Sequence, residues 1–229
     1  MNVRLTMRDS FLVLLKEARN DGDLARLRRE RDILTRLRMA GVTTILSDEL
    51  DPGDSSTKKQ APALAFRFVG RHNLATFRTP REWEILQLFQ ECAHLLTCLH
   101  ARGIAHGAIS PDHILLDRFS HPVLCSFGRA SEASRSLAKA DVASLLTVML
   151  STVSAMPSND PAWAKRLRGG KKRLSHQLLQ LLQTAAESRI SSPADLAAQL
   201  SELAVSYGVF PNRTNEQPIP APPLSLIHI

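Results

Sequence analysis

Cysteine, aromatic residues, glycine and long apolar runs are all scarce in this 229-residue chain, and each scarcity closes off a class of protein. Three cysteines, Cys92, Cys98 and Cys125, are an odd number without pairing rhythm. They supply neither a disulfide framework nor a four-ligand zinc site, and a reducing cytoplasm is the expected compartment. Aromatics make up 5% of the residues, and no RNP-type pattern, zinc finger or helix-turn-helix signature is present. No glycine precedes Gly22. The start, MNVRLTMRDS, lacks an apolar run of signal-peptide length, and the longest apolar stretch, Val142 to Met156, is broken by Ser and Thr. Neither a leader nor a membrane span is therefore expected within the chain.

What is present is a core-forming composition, 44% hydrophobic and 22% charged, with a formal charge of +7. The positive excess sits in two places. Arg26 to Arg38 carries six arginines against Glu30 and Asp32, on an amphipathic helix whose outer face such charge solvates. Lys165 to Arg173, KRLRGGKKR, carries six basic residues and no acid, and Gly169-Gly170 marks it as a loop. Such a loop supports an alternative function as an anionic-surface or nucleic-acid binding module. With no recognition motif beside it, nucleic acid is not the favoured partner.

Hydrophobic periodicity divides the chain into strands first and helices second. Phe11 to Lys16 (FLVLLK) predicts a buried strand, and a helix runs from Asp23, as N-cap, to about Arg38 with Leu24, Leu27, Leu34 and Leu37 on one stripe. Val42 to Leu46 and Ala63 to Val69 are strand candidates about a polar loop. Beyond Pro80, Arg81 to Ala101 has helical spacing and ends at Gly103 as C-cap. Short strands are expected at Ile114 to Leu116 and Val123 to Cys125, then helices over Asp141 to Val153, Leu174 to Glu187 and Pro193 to Tyr207, the last capped by Ser191 and Ser192. Trp83 and Trp163 are read as packing. The stretch PNRTNEQPIPAPP has linker composition. The final LSLIHI is what a transposon end used for sequencing libraries encodes, so residues 224–229 are expected to be artefact and the natural protein to continue.

Two buried-position signals carry chemistry. Glu30 lies on the apolar stripe of its helix, three residues after Leu27 and four before Leu34, so its carboxylate needs a partner. Lys16, at the end of a buried strand, is the natural one; Arg26 or Arg31 on the same helix is the alternative. Further along, Leu99 to Ala130 reads LHARGIAHGAISPDHILLDRFSHPVLCSFGRA. This segment resembles the protein-kinase run LHxxGIxHRDLKPxNILLD followed by DFG, with matched lengths between anchors. FLVLLK is similar to the VAIK strand, Arg29 to Leu34 to the αC helix, Asp141-Val142-Ala143-Ser144-Leu145 to the start of a buried helix, and Arg189 to Pro193 to a late inter-helix turn.

The resemblance implies an α+β protein-kinase-like two-lobe fold. A small antiparallel sheet with the αC helix would form an N-lobe over 1–70 and a mainly helical C-lobe would span 71–208, both trimmed, followed by a linker at 209–223. It also implies that Lys16 and Glu30 form the nucleotide-phosphate pair, and that His106, Phe127, Gly128, Leu34 and Asp141 are structural, with Asp141 capping its helix and bonding the catalytic-loop backbone. His106 is then a packed core histidine rather than a base. At the chemical positions the sequence departs from the family. Ala108 stands for the catalytic aspartate after Gly107, Ser110 for the loop lysine, His113 for the metal-binding asparagine and Ser126 for the metal-binding aspartate. Losing a positioned base alone costs about 100- to 10,000-fold in rate. His113 with Asp112 and Asp117 makes no recognised metal set.

Leu14 stands where the VAIK alanine admits adenine, and only twelve residues separate Gly128 from Asp141, too few for a substrate platform. No cofactor is assigned: Lys16 and Glu30 speak for ATP and magnesium, Leu14 and the missing glycines against. The expected function is that of a bacterial-type pseudokinase, regulatory or scaffolding, whose partner is a protein or an active kinase, with a downstream fused domain or membrane anchor as a further expectation. An atypical active Ser/Thr kinase using Asp112 or Asp117 is the alternative.

Overall fold

The computed structural model describes residues 1–8, 10–50, 61–70, 72–76, 82–154, 180–181, 190 and 192–206. Over these residues the chain is a mixed α+β protein with small antiparallel sheets and four α-helices. The basic loop at 165–173, most of the helix expected at Leu174 to Glu187, and the tail from Tyr207 lie outside them.

Four strands, β1 (Asn2–Arg8), β2 (Phe11–Glu17), β3 (Ile45–Glu49) and β4 (Ala63–Arg67), form one antiparallel sheet in the order β1-β2-β4-β3. Strand periodicity divides its side chains between two faces. Register places Val3, Leu5, Leu14, Lys16, Leu64 and Phe66 on one face, and Arg4, Arg8, Val13, Leu15, Ala65 and Arg67 on the other. The helix α1 (Asp21–Leu37) packs with β3 and β4, and its Leu27, Ile33, Leu34 and Leu37 join the main core with Leu64 and Phe66.

The start of α1 corrects the expected cap. Asn20 Oδ1 accepts the Asp23 amide at 2.9 Å, so the helix begins at Asp21, and the Asp23 carboxylate takes the Arg19 amide at 3.2 Å instead. The strand expected over Val42 to Leu46 is also displaced. Val42 makes only an isolated bridge to Leu124, and β3 starts at Ile45 with a bulge before Ser47. FLVLLK is a strand, but its first residue is outside the core, since Phe11 is 71% exposed.

The remaining core is centred on α2 (Glu82–Ala101), whose Leu86, Phe89, Cys92, Ala93, Leu96 and Leu99 are fully buried. Burying each Leu or Phe contributes about 1.5–3 kcal/mol. Against α2 pack α3 (Arg135–Ser154) and α4 (Pro193–Ser206). Ser192 Oγ accepts the Asp195 amide at 3.0 Å and caps α4, with Pro193 at its first position. Gly103 ends the α2 turn at φ +73°.

Two small sheets are built mainly from the segment between α2 and α3, with one strand from before α2. The strands β5 (His72–Asn73), β7 (Ile114–Leu116) and β8 (Pro122–Leu124) form one, in the order β5-β7-β8. The other pairs β6 (Ile104–Ala105) with β9 (Ser131–Glu132). Single 3₁₀ turns follow at Pro111–His113 and Phe127–Arg129. No helix among the described residues is long and apolar enough to cross a membrane. All three cysteines are free, and burial pushes the Cys92 and Cys125 thiols above their ordinary range.

Candidate functional site

Alternation along β2 turns Lys16 toward α1, and the helical stripe turns Glu30 toward the sheet. The Lys16 ammonium meets Glu30 Oε1 at 2.7 Å and Oε2 at 2.9 Å, with both residues almost fully buried. A buried charge pair persists only when its remaining capacity is satisfied. Here the Phe66 ring lies 4.6 Å from Lys16 Nζ, and Glu30 Oε1 also accepts the Phe127 amide at 3.1 Å. One carboxylate thus joins a strand, a helix and the turn at Phe127–Arg129. Packing reinforces the joint: α1 lies on that turn, with the Arg26 backbone against Gly128, where an added Cβ would meet the Arg26 carbonyl at 3.3 Å.

Phe127, fully buried, carries the connection onward. Its ring lies 4.7 Å from the His106 ring at a 57° tilt, and Leu34 is buried in the same core. His106 Nε2 donates to the Cys125 carbonyl at 3.0 Å, while its Nδ1 is buried without a hydrogen-bond partner. Burial therefore pushes its pKa down to about 4, although Asp141 pulls the other way, and the ring is neutral.

Asp141 organises the loop after β6. Its Oδ2 accepts the His106 amide at 2.7 Å and contacts His100 Nε2 at 2.9 Å, and its Oδ1 accepts the Gly107 amide at 2.9 Å. Burial raises its pKa, but these three hydrogen bonds outweigh that and hold the carboxyl below the usual range. Its expected role as a helix cap is corrected. Ser134 fills that place, accepting the Leu137 amide on Oγ at 3.3 Å and the Ala138 amide on its carbonyl, so α3 starts at Arg135 and Asp141 lies inside the helix.

The four positions singled out for lost chemistry lie along the same loop and the segment after β8. Gly107 has φ +68°, Ala108 presents only a methyl group, and Ser110 precedes the 3₁₀ turn without capping it through its side chain. His113 Nδ1 donates to the Ala108 carbonyl at 2.6 Å. Ser126 takes the left-handed conformation at φ 69°, its hydroxyl 3.7 Å from the Cys125 thiol. Magnesium requires hard oxygen ligands, and an imidazole and one neutral hydroxyl are a poor set for it. Among the described residues no group of three or more His, Cys, Asp or Glu is placed to hold a metal ion. The residues present do not fit magnesium.

The nearby acids have partners of their own. Asp117 Oδ1 accepts the amides of Phe119 and His121 at 2.8 and 2.9 Å and ties the β7–β8 turn, whereas Asp112 accepts Asn73 Nδ2 at 3.2 Å. His100, the histidine of the Leu-His pair that opens the kinase-like segment, bonds Asp141, a contact that no local sequence pattern signals. The chain matches no protein-family profile and no curated protein.

Proposed function

We propose that the chain is a pseudokinase, a protein-kinase-like domain that regulates or scaffolds a protein partner and transfers little or no phosphate. One observation carries this reading. A buried Lys16–Glu30 pair, bonded on to Phe127, stands beside a loop whose chemical positions are Ala108, Ser110, His113 and Ser126. Phosphoryl transfer needs a carboxylate at the attacking hydroxyl and oxygen ligands for magnesium on the phosphates. None of these four side chains supplies a carboxylate, and the two backbone amides held by Asp117 in the β7–β8 turn speak against it as a displaced replacement. The kinase-like two-lobe architecture is part of the same proposal, supported by a sheet and α1 joined through Glu30 to a mainly helical remainder.

Thermal denaturation with ATP, with and without magnesium, tests the reading. Ligand that binds only the native state stabilises it by about 2.7 kcal/mol at a hundred times its dissociation constant. Magnesium is expected to add nothing to whatever shift ATP produces alone. A midpoint that rises only when both are present would overturn the degenerate metal site.

A further inference from the structure

We propose that the outer face of the four-stranded sheet, at its β1–β2 turn, is a docking groove for a segment of a partner protein that inserts an apolar side chain beside an acidic one. The groove lies on the face opposite Lys16 and goes beyond the pseudokinase reading, which stands or falls independently of it.

Exposed large apolar side chains are concentrated on this sheet. Phe11 and Leu46, 71% and 48% exposed, border one cavity on the outer face, while the exposed Val3, Leu5 and Met7 lie on the Lys16 face; elsewhere such exposure is scattered singly at residues such as Phe119 and Val205. Most of the outer face is sealed. Arg4 and Asn2 bond Glu17, and Arg8 bonds Ser47 at 2.8 Å and pairs with Glu49, and Leu15 and Ala63 are buried beneath. The seal stops at the turn. There a cavity of about 740 Å³ opens, with Val13 and Ala65 at its floor and Phe11, Leu46 and Phe68 around it. The β3 bulge explains Leu46: it leaves that residue without a register partner in β4, and the side chain is 48% exposed. The volume suits one or two apolar side chains of an incoming peptide.

Charge identifies the occupant. Of the two arginines at the groove, Arg8 is held by Glu49, but the exposed Arg67 side chain has no carboxylate partner among the described residues, and none of the described residues lining the cavity is acidic. A carboxylate next to the inserted apolar group would meet Arg67. A second copy of this chain in a two-fold contact would instead bring arginine-rimmed surfaces together.

The test pans a random peptide library displayed on phage against the full chain and measures selected peptides on Arg67→Glu and Phe11→Ser. Enriched peptides are expected to pair Asp or Glu with a neighbouring aromatic or aliphatic residue. Each substitution should weaken them about tenfold or more while the melting midpoint holds. Should Phe11→Ser lower the midpoint, Leu46→Ser takes its place. Absence of acidic–apolar enrichment, or peptides that bind the variants as tightly as the parent, would overturn the proposal. So would a concentration-dependent dimer abolished by Phe11→Ser, which would make a second copy the occupant.

Discussion

Glu30 accepts three hydrogen bonds in a dry environment, two from Lys16 and one from the Phe127 amide. Removing only the carboxylate strands a buried ammonium and an amide together. Glu30→Ala is therefore expected to lower unfolding free energy in urea by about 3–5 kcal/mol, whereas Lys16→Met combined with Glu30→Leu recovers most of that loss. A loss below about 1 kcal/mol for Glu30→Ala would show that the pair is wet and not buried. His106 makes a pH-dependent contribution of known sign. Its neutral ring has a folded pKa of about 4 against an ordinary value of 6.5, so below pH 6.5 the unfolded chain takes up a proton that the folded chain refuses. Stability from this residue is complete above pH 6.5 and declines as pH falls toward about 4, by on the order of 3 kcal/mol. Asp141 adds its own loss at still lower pH, because its folded pKa is depressed. Urea midpoints across this range should fall for the parent chain and change less for His106→Gln; parallel curves would contradict the assignment.

Among the elements, the loop after β6 is the most constrained. Gly107 holds φ +68°, donates to Asp141, and has no room for a side chain, because a Cβ would lie 2.8 Å from the Arg129 carbonyl oxygen. Gly103 has a similar φ of +73° with open space around it. Gly107→Ala should thus cost about 1–3 kcal/mol from strain and displacement of Asp141, and more than Gly103→Ala, where conformation alone is at issue. Equal losses in thermal unfolding would mean that the Arg129 contact yields freely. The same elements show which signals a sequence makes legible. Glu30 is visible because a carboxylate on an apolar stripe has to be paired, and Gly103 because a glycine past a helical run ends it. The strand β1 gives only a weak signal although NVRLTMR alternates strictly, since its apolar side chains are half exposed and form no run. The first turn of α3 was missed because RSLAKA is mostly exposed and apolar periodicity begins only at Val142. The Asp141–His100 contact joins residues far apart in sequence, and neither residue's local pattern announces the other. The proposed loss of chemistry at Ala108, His113 and Ser126, by contrast, rests on the matched motif alone; composition and periodicity are silent on it.

At the scale of the whole molecule, one connected series of contacts crosses the fold. Hydrogen bonds and ring contacts run from Lys16 through Glu30, Phe127 and His106 to Asp141, linking sheet, α1, the turn at Phe127–Arg129 and α3. Both carboxylates in this series, Glu30 and Asp141, are buried and hydrogen-bonded. The measurement that tests this account most directly is transfer of radiolabelled γ-phosphate from ATP, with magnesium or manganese, to the chain itself and to generic Ser/Thr substrates, alongside Lys16→Ala. The account predicts no incorporation above that of Lys16→Ala. Incorporation by the parent chain that Lys16→Ala abolishes would contradict it.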